Sequence, residues 1–277
     1  MSLEPIIALA VIGVAVGFLS GLVGIGGGVL IVPFLYFFYA HPQWSGAVVA
    51  GPLQATVAHA TSLFIIVPTA VLGTVTYSRA RLVAWRAVVP LGAAAMFAAA
   101  AGAQIAILMP ADLLKVAFGG FLLFTAYQLV TGDSEHEAVG PLRLGPAVTI
   151  PSGILVGLFS AMLGVGGGLV AIPLLISVMR LELKRVAATS LAVVAFAAAA
   201  GTVTYMVTGS GVAGGPAGGV GYVDAVHALP ILVTSMISVR WGARANQRFQ
   251  PKLLRWIFGA LLVVLGGRLI LTSLGRL

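Results

Sequence analysis

Charge is what this sequence has least of. Only 8 % of its 277 residues are Asp, Glu, Lys or Arg, where soluble domains carry roughly 25 %. Between Pro5 and Ser78 there is no such residue at all, so the chain cannot cover a water-facing surface. Cysteine is absent, which excludes a disulfide framework, a thiolate nucleophile and a Cys-ligated metal or cluster. There is no Gly-Lys-Ser/Thr P-loop, and Gly24–Gly28 lacks the strand–turn–helix context and downstream acid of a dinucleotide fingerprint. Gly17-Phe18-Leu19-Ser20-Gly21 does not have the spacing of a hydrolase nucleophile elbow and implies no His partner. No His pair has metal-ligand spacing, no cofactor is called for, and an enzyme is disfavoured.

What fills the chain is apolar. Hydrophobic residues make up 60 % of it, in runs long enough to reach the roughly 20 residues that cross a bilayer. The 36 glycines suit packed transmembrane helices, which use small residues to let backbones approach. The first residues lack the basic start of a secretory signal, so the first segment is expected to stay as a span. The net charge of +8 would raise nucleic acid as a partner in a soluble protein. Here the basic residues sit between spans, and the excess of cations on cytoplasmic loops explains them instead.

The chain repeats itself. Gly17–Gly28 recurs as Gly157–Gly168, and Leu113-Leu114-Lys115 as Leu253-Leu254-Arg255, both at an offset of 140. Ala60-Thr61-Ser62-Leu63 recurs as Ala188-Thr189-Ser190-Leu191, and Gly73–Tyr77 as Gly201–Tyr205, at an offset of 128. The first half inserts residues near His41–Pro52, and the second recovers the register in the Gly-rich loop Gly209–Gly221. Residues 1–140 and 141–277 therefore read as two halves of one membrane domain, with no soluble domain. Hydropathy predicts segments near 5–23, 28–40, 50–77, 82–108 and 112–131, then 146–163, 168–179, 186–207, 223–245 and 252–274. The expected fold is an all-α polytopic membrane protein of about ten segments. The second segment of each half is too short for a perpendicular span, and reads as tilted or re-entrant.

An odd number of crossings per half inverts one half against the other. The charges agree: the connection with Arg79, Arg81 and Arg86 has a neutral equivalent at 219–226, and neutral His41–Pro52 corresponds to a stretch with Arg180, Lys184 and Arg185. The weakly charged connection around Pro110 corresponds to one with Arg240, Arg244, Arg248, Lys252 and Arg255. Ten crossings put 12 of the 15 basic residues on one face, the cytoplasmic one, and both termini outside. The acidic stretch Asp133–Glu137 falls inside, where acids weigh little in this rule. Trp44, Trp85, Trp241 and Trp256 fall near span ends, as interfacial anchors do.

The candidate site lies at the glycine runs. Gly24, Gly26, Gly27 and Gly28, with Gly164, Gly166, Gly167 and Gly168, interrupt apolar segments, and such breaks survive in a bilayer only against protein or a watery cavity. A helix restarting after each break would aim free N–H groups and its positive dipole end at an anion; close packing through small residues is the bland alternative. Thr61, Ser62, Thr189 and Ser190 form a symmetric quartet of hydroxyls, either substrate donors or glue between helices. Gln54 and His59 precede the first pair. His59 is an ionisable group inside a span and a candidate for proton coupling, although its repeat equivalent is Ala187. His41, His136 and His227 fall in loops or at span ends. Arg240 and Arg268 can snorkel to the interface, so no fixed cation is evident at mid-depth.

At these glycine-rich repeats the sequence resembles the TauE/SafE sulfite exporter family, the TSUP transporters, over nearly its whole length. The resemblance rests on Gly21–Pro33 with Gly157–Pro173, the paired Ala-Thr-Ser-Leu blocks and the paired Gly-Thr-Val-Thr-Tyr blocks. It implies a bacterial-type inner-membrane permease for a small sulfur-containing or carboxylate anion such as sulfite or sulfoacetate. The leading expectation is export; an importer or an anion channel with a fixed hourglass constriction is the alternative. The expected partners are that small anion and the lipid bilayer, not nucleic acid, and a homodimer is compatible with this reading. Reporter fusions after Thr131 and after Leu277 are expected to report opposite faces of the membrane. The same face for both would remove the odd number of crossings.

Overall fold

The computed structural model describes residues 3–131, 142–246 and 251–274. Its ten segments are α1 (Leu3–Val23), α2 (Gly28–Ala40), α3 (Gln54–Arg79), α4 (Trp85–Leu108), α5 (Ala111–Thr131), α6 (Pro146–Leu163), α7 (Gly168–Pro173, continued by a π turn over Leu174–Val178), α8 (Leu183–Thr208), α9 (Ala225–Asn246) and α10 (Pro251–Leu274). The chain is a multi-pass helical membrane protein: among the described residues, six helices are long and apolar enough to cross a bilayer, and α2 and α7 are shorter apolar pieces. The sequence placed α2 and α6 at the bounds the structure shows. It began α3 too early, because Gly51–Leu53 forms a separate 3-10 turn around Pro52. It also missed a one-turn helix, Pro42–Ser45, in the connection after α2.

Helix pairing exchanges between the halves. α1 packs chiefly on α9, and its repeat equivalent α6 packs on α4; α3 and α8 pair with each other, as do α5 and α10. Glycine makes these approaches. A Cβ on Gly17 of α1 would stand 2.2 Å from the Ser235 carbonyl of α9, and one on Gly157 of α6 would stand 2.1 Å from the Ala95 carbonyl of α4. Neither distance is open to a real side chain.

Tertiary hydrogen bonds also recur at the two repeat offsets. Tyr77 Oη donates to the Gly21 carbonyl at 2.6 Å, and Tyr205 Oη to Ala161 at 2.9 Å. The Leu82 N–H returns to the Tyr77 carbonyl and the Tyr222 N–H to that of Tyr205, across left-handed turns at Arg81 and Gly221. At one end of the bundle the basic loops meet: the Arg185 guanidinium donates to the carbonyls of Leu82 and Val83. At the other end the two irregular stretches meet, with the Ala50 N–H on the Gly214 carbonyl at 3.1 Å. The acidic stretch Asp133–Glu137 with His136, and Arg248, lie outside the described residues, as do the side chains of Lys252, Arg255 and Trp256.

Gly17→Ala and Gly157→Ala are each expected to destabilise the protein by about 1–3 kcal/mol, since the helices must separate to admit a methyl. Gly120→Ala, whose Cβ would meet nothing within 4 Å, should be neutral or slightly stabilising. Thermal unfolding in detergent distinguishes them; equal effects at all three would contradict the glycine-mediated packing.

Candidate functional site

Both glycine runs are true chain breaks. Gly24, Gly26 and Gly27 have φ of +80°, +94° and +82°, and Gly164, Gly166 and Gly167 have +67°, +85° and +82°. This left-handed backbone is open to glycine at little steric cost. Gly27 and Gly167 cap α2 and α7 without any side-chain hydrogen bond, so the first N–H groups of each helix have no intrahelical partner.

The two breaks lie against each other. A Cβ at Gly28 would fall 2.5 Å from the Gly164 carbonyl, and one at Gly168 would fall 2.4 Å from that of Ile25. A Cβ at Gly26 or at Gly166 would fall 3.0 Å from Val194 Cγ1 and close to the side chain of Ile66. Ile66 and Val194 sit near the middle of α3 and α8, each 26 residues long. The breaks therefore meet near the mid-depth of the two central helices, roughly 18 Å from either end at 1.5 Å per residue. Close packing and an open helix start coexist here.

The expected hydroxyl quartet has partners within the protein. Ser62 Oγ donates to the Gly164 carbonyl at 2.6 Å, and Ser190 Oγ to that of Gly24 at 2.9 Å. Each serine thus satisfies a carbonyl released by the opposite half's break. Thr61 Oγ1 accepts from the Asp224 N–H at 2.9 Å, and Thr189 Oγ1 from the Ala84 N–H at 3.1 Å. A hydroxyl that accepts still has its own proton to give. Gln54 Nε2 donates to the Tyr39 carbonyl at 3.1 Å, closing the corner between α2 and α3. His59 is fully buried. Its Nδ1–H donates to the Met162 carbonyl at 2.9 Å, and its Nε2 takes the Tyr36 hydroxyl. The structure gathers the glycines, Ser62, Ser190 and His59 around the breaks, while Thr61, Thr189 and Gln54 hold helix ends.

A second quartet went unnoticed in the sequence. Ser20, Ser160, Thr74 and Thr202 are buried, and none of their hydroxyls has a hydrogen-bond partner. They form two repeat pairs, and the signal was present, since each lies inside a duplicated block. Ser20 Cβ stands 3.6 Å from where a Cβ on Gly27 would be, and Ser160 Cβ stands 3.0 Å from the same point at Gly167. Thr74 opens on a groove of about 580 Å³ between α3, α4 and α8, lined by Val67, Val71, Ala195 and Ala199 and reaching Arg79. An unsatisfied buried hydroxyl is costly and rare. Ser20 and Ser160 stand at symmetric places beside the two open helix starts, whereas Thr74 and Thr202 lie eight residues along their helices from Ile66 and Val194, about 12 Å away. Among the described residues no three His, Asp or Glu come together as a metal site would need.

Ser62→Ala and Ser190→Ala are each expected to lower stability by about 1 kcal/mol, because each strands a buried carbonyl of a glycine break. Chemical or thermal unfolding of the detergent-solubilised protein reads this directly. Unchanged stability in both would show that the carbonyls are satisfied otherwise.

The family model described as Sulfite exporter TauE/SafE matches residues 9–269. A probable membrane transporter protein of Methanocaldococcus jannaschii is 28 % identical over 260 residues, covering 93 % of this chain and 92 % of its own. The probable membrane transporter protein YunE of Bacillus subtilis is 24 % identical over 281 residues, covering 95 % and 97 %. One from Haemophilus influenzae is 26 % identical over 259 residues, covering 94 % and 96 %. No solved structure matches the chain. Two breaks meeting at mid-depth, in a bundle that matches transporters along nearly its full length, place the chain in the TauE/SafE sulfite exporter family as a membrane transporter.

Proposed function

We propose that this transporter carries a small sulfur-containing oxyanion, such as sulfite or a two-carbon organosulfonate, out of the cell across an inner membrane. The observation that carries the reading is the meeting of the two glycine breaks at mid-depth, flanked by hydroxyls without protein partners. The free N–H groups of the helix starts and the Ser20 and Ser160 hydroxyls are donors, and donors favour a ligand with several negative oxygens. Direct contacts would come from the N–H groups at Gly26–Gly28 and Gly166–Gly168 and from the hydroxyls of Ser20 and Ser160. Thr189, whose oxygen accepts from Ala84 N–H, keeps a proton to offer as well. No fixed cation is needed, and an anion held by dipoles and hydroxyls can also leave.

The two halves, 1–140 and 141–277, would face opposite ways across the membrane, with both termini outside. The meeting of the Arg185 side chain with the Leu82–Val83 loop supports this, because it gathers two basic connections on one face. Export is favoured electrically: each negative charge gains about 2.3 kcal/mol per 100 mV on leaving a negative-inside cell. Alternating access, rather than a fixed constriction, is expected. It requires the two breaks to part.

Purified protein in liposomes, challenged with sulfite, sulfoacetate, taurine and sulfate, tests the assignment. Saturable exchange of sulfite or sulfoacetate that is stimulated by the same anion on the far side identifies a transporter; flux without such stimulation identifies a channel. Ser20→Ala and Ser160→Ala are expected to weaken anion binding about ten- to a hundredfold, since a hydrogen bond to a charged group typically contributes about 1.5–3 kcal/mol. Neither should lower stability, because no protein hydrogen bond is lost. Normal affinity in both variants would move the site away from the breaks.

A further inference from the structure

The two halves share their backbone contacts but not their ionisable groups. Where α9 begins, the Asp224 carboxylate is 1 % exposed and holds three donors. His227 Nδ1–H reaches Oδ2 at 2.6 Å, the Tyr39 hydroxyl reaches Oδ2 at 3.1 Å, and the His227 N–H reaches Oδ1 at 3.1 Å. At the equivalent places in the other half stand Ala84 for Asp224, Ala87 for His227 and Met179 for Tyr39. The backbone bond is kept on both sides, from Asp224 N–H to Thr61 and from Ala84 N–H to Thr189. The repeat is therefore its own control.

One structural role is clear: Asp224 caps α9 through the bond from His227 N–H, as an N-cap aspartate does. That accounts for Oδ1 alone. α4 starts at the equivalent position with no side-chain cap, so the fold does not need a carboxylate there. Nor does capping explain a buried imidazole and a tyrosine converging on the other oxygen. Ionisable groups withdrawn from water inside a membrane protein are functional by default.

The pair is joined to the proposed anion site by a single element. Tyr39 lies at the last turn of α2, whose other end is the open start at Gly27–Gly28 beside Ser20. Further along α2, Tyr36 donates to His59 of α3, and the Lys115 ammonium of α5 lies over the Tyr36 ring at 5.9 Å, paired with Asp112. The groups facing Asp224 and His227 are Tyr39 and the Phe38 ring from α2, the latter 5.2 Å from the imidazole, and Thr61 from α3. Among the described residues, His227 is the one cationic partner within ion-pair distance of Asp224. His41, just past the end of α2, is exposed and bonds the Phe37 carbonyl instead.

We infer that Asp224 and His227 form a proton-binding site through which α2 couples protonation to anion transport. With the imidazole neutral, the pair carries one negative charge at the end of the bundle opposite the basic loops, and it opposes an approaching anion. Taking a proton from the water on that face makes the pair a neutral carboxylate–imidazolium, and releasing it restores the charge. Anion and proton then bind together and the coupling is reciprocal; acid on the outer face draws the anion inward, so the pair checks the electrically favoured export rather than driving it. This rests on the anion-transport reading above.

The test is transport in proteoliposomes with sulfoacetate, a probe that does not itself titrate near neutral pH. Wild-type protein should accumulate it against a gradient when the Asp224 face is made one pH unit more acidic. One coupled proton allows up to about tenfold accumulation. Asp224→Asn keeps a cap and an acceptor for Tyr39, so it should fold and exchange sulfoacetate at equal pH, but with less than about twofold accumulation in a pH gradient. His227→Gln should behave alike. Exchange at equal pH with the pH drive intact in both variants overturns the proposal. So does complete loss of exchange in both variants while they remain monodisperse, which would make the pair purely structural. If the wild type moves no anion under any gradient, the transport reading fails instead; if it moves anions without regard to pH, only the proton site fails.

Discussion

Inside a bilayer, a backbone amide that leaves its helix must find another partner in protein or in a watery cavity, because lipid offers none. Everything distinctive in this structure answers that constraint. Two helices are broken by glycine near mid-depth, and each break is covered by the other break and by a serine from the opposite half. Ser62 takes the Gly164 carbonyl and Ser190 takes that of Gly24. Neither half could stand alone in lipid with its break exposed. The exchanged pairing of α1 with α9 and of α4 with α6 follows, since each break must be brought to the other half's central helix.

The carbonyls of Gly24 and Gly164 are thus satisfied by protein, while the hydroxyls of Ser20 and Ser160 beside the breaks are not. On these donors the proposed anion site rests, with no fixed cation. Binding by partial charges is weaker than binding by a full charge, and a carrier must release its cargo as readily as it takes it up.

Duplication supplies two equal frames, and function is written where they differ. The bonds to Thr61 and Thr189 are common to both halves; Asp224, His227, Tyr39 and His59 face alanines or methionine at the equivalent positions. A strictly symmetric protein would have no means of responding differently to the water on its two faces. Tyrosines of α2, a helix with one end at the break and the other at the Asp224 carboxylate, contact both histidines through hydrogen bonds or the carboxylate they share.

The helical class, the segments and the duplication were legible in the sequence, because each depends on local physics: apolar length for a span, glycine for a break, proline and charge for a connection. The glycine runs were also identifiable as chain breaks, since three glycines in succession disrupt a helix wherever they occur. Which hydroxyls are free was not legible. Thr61, Ser62, Ser20 and Thr74 all sit in duplicated blocks of apolar sequence, and nothing local separates a serine that holds a carbonyl from one that holds nothing. His227 read as a span-end histidine, because its carboxylate becomes a buried partner only when the Gly209–Gly221 loop folds back and α2 lays Tyr39 against it. The sequence by itself determined the elements and their symmetry. Only the tertiary structure decided the partners, because hydrogen bonds between residues a hundred or more positions apart depend on how the helices pack and not on either residue's neighbours in the chain.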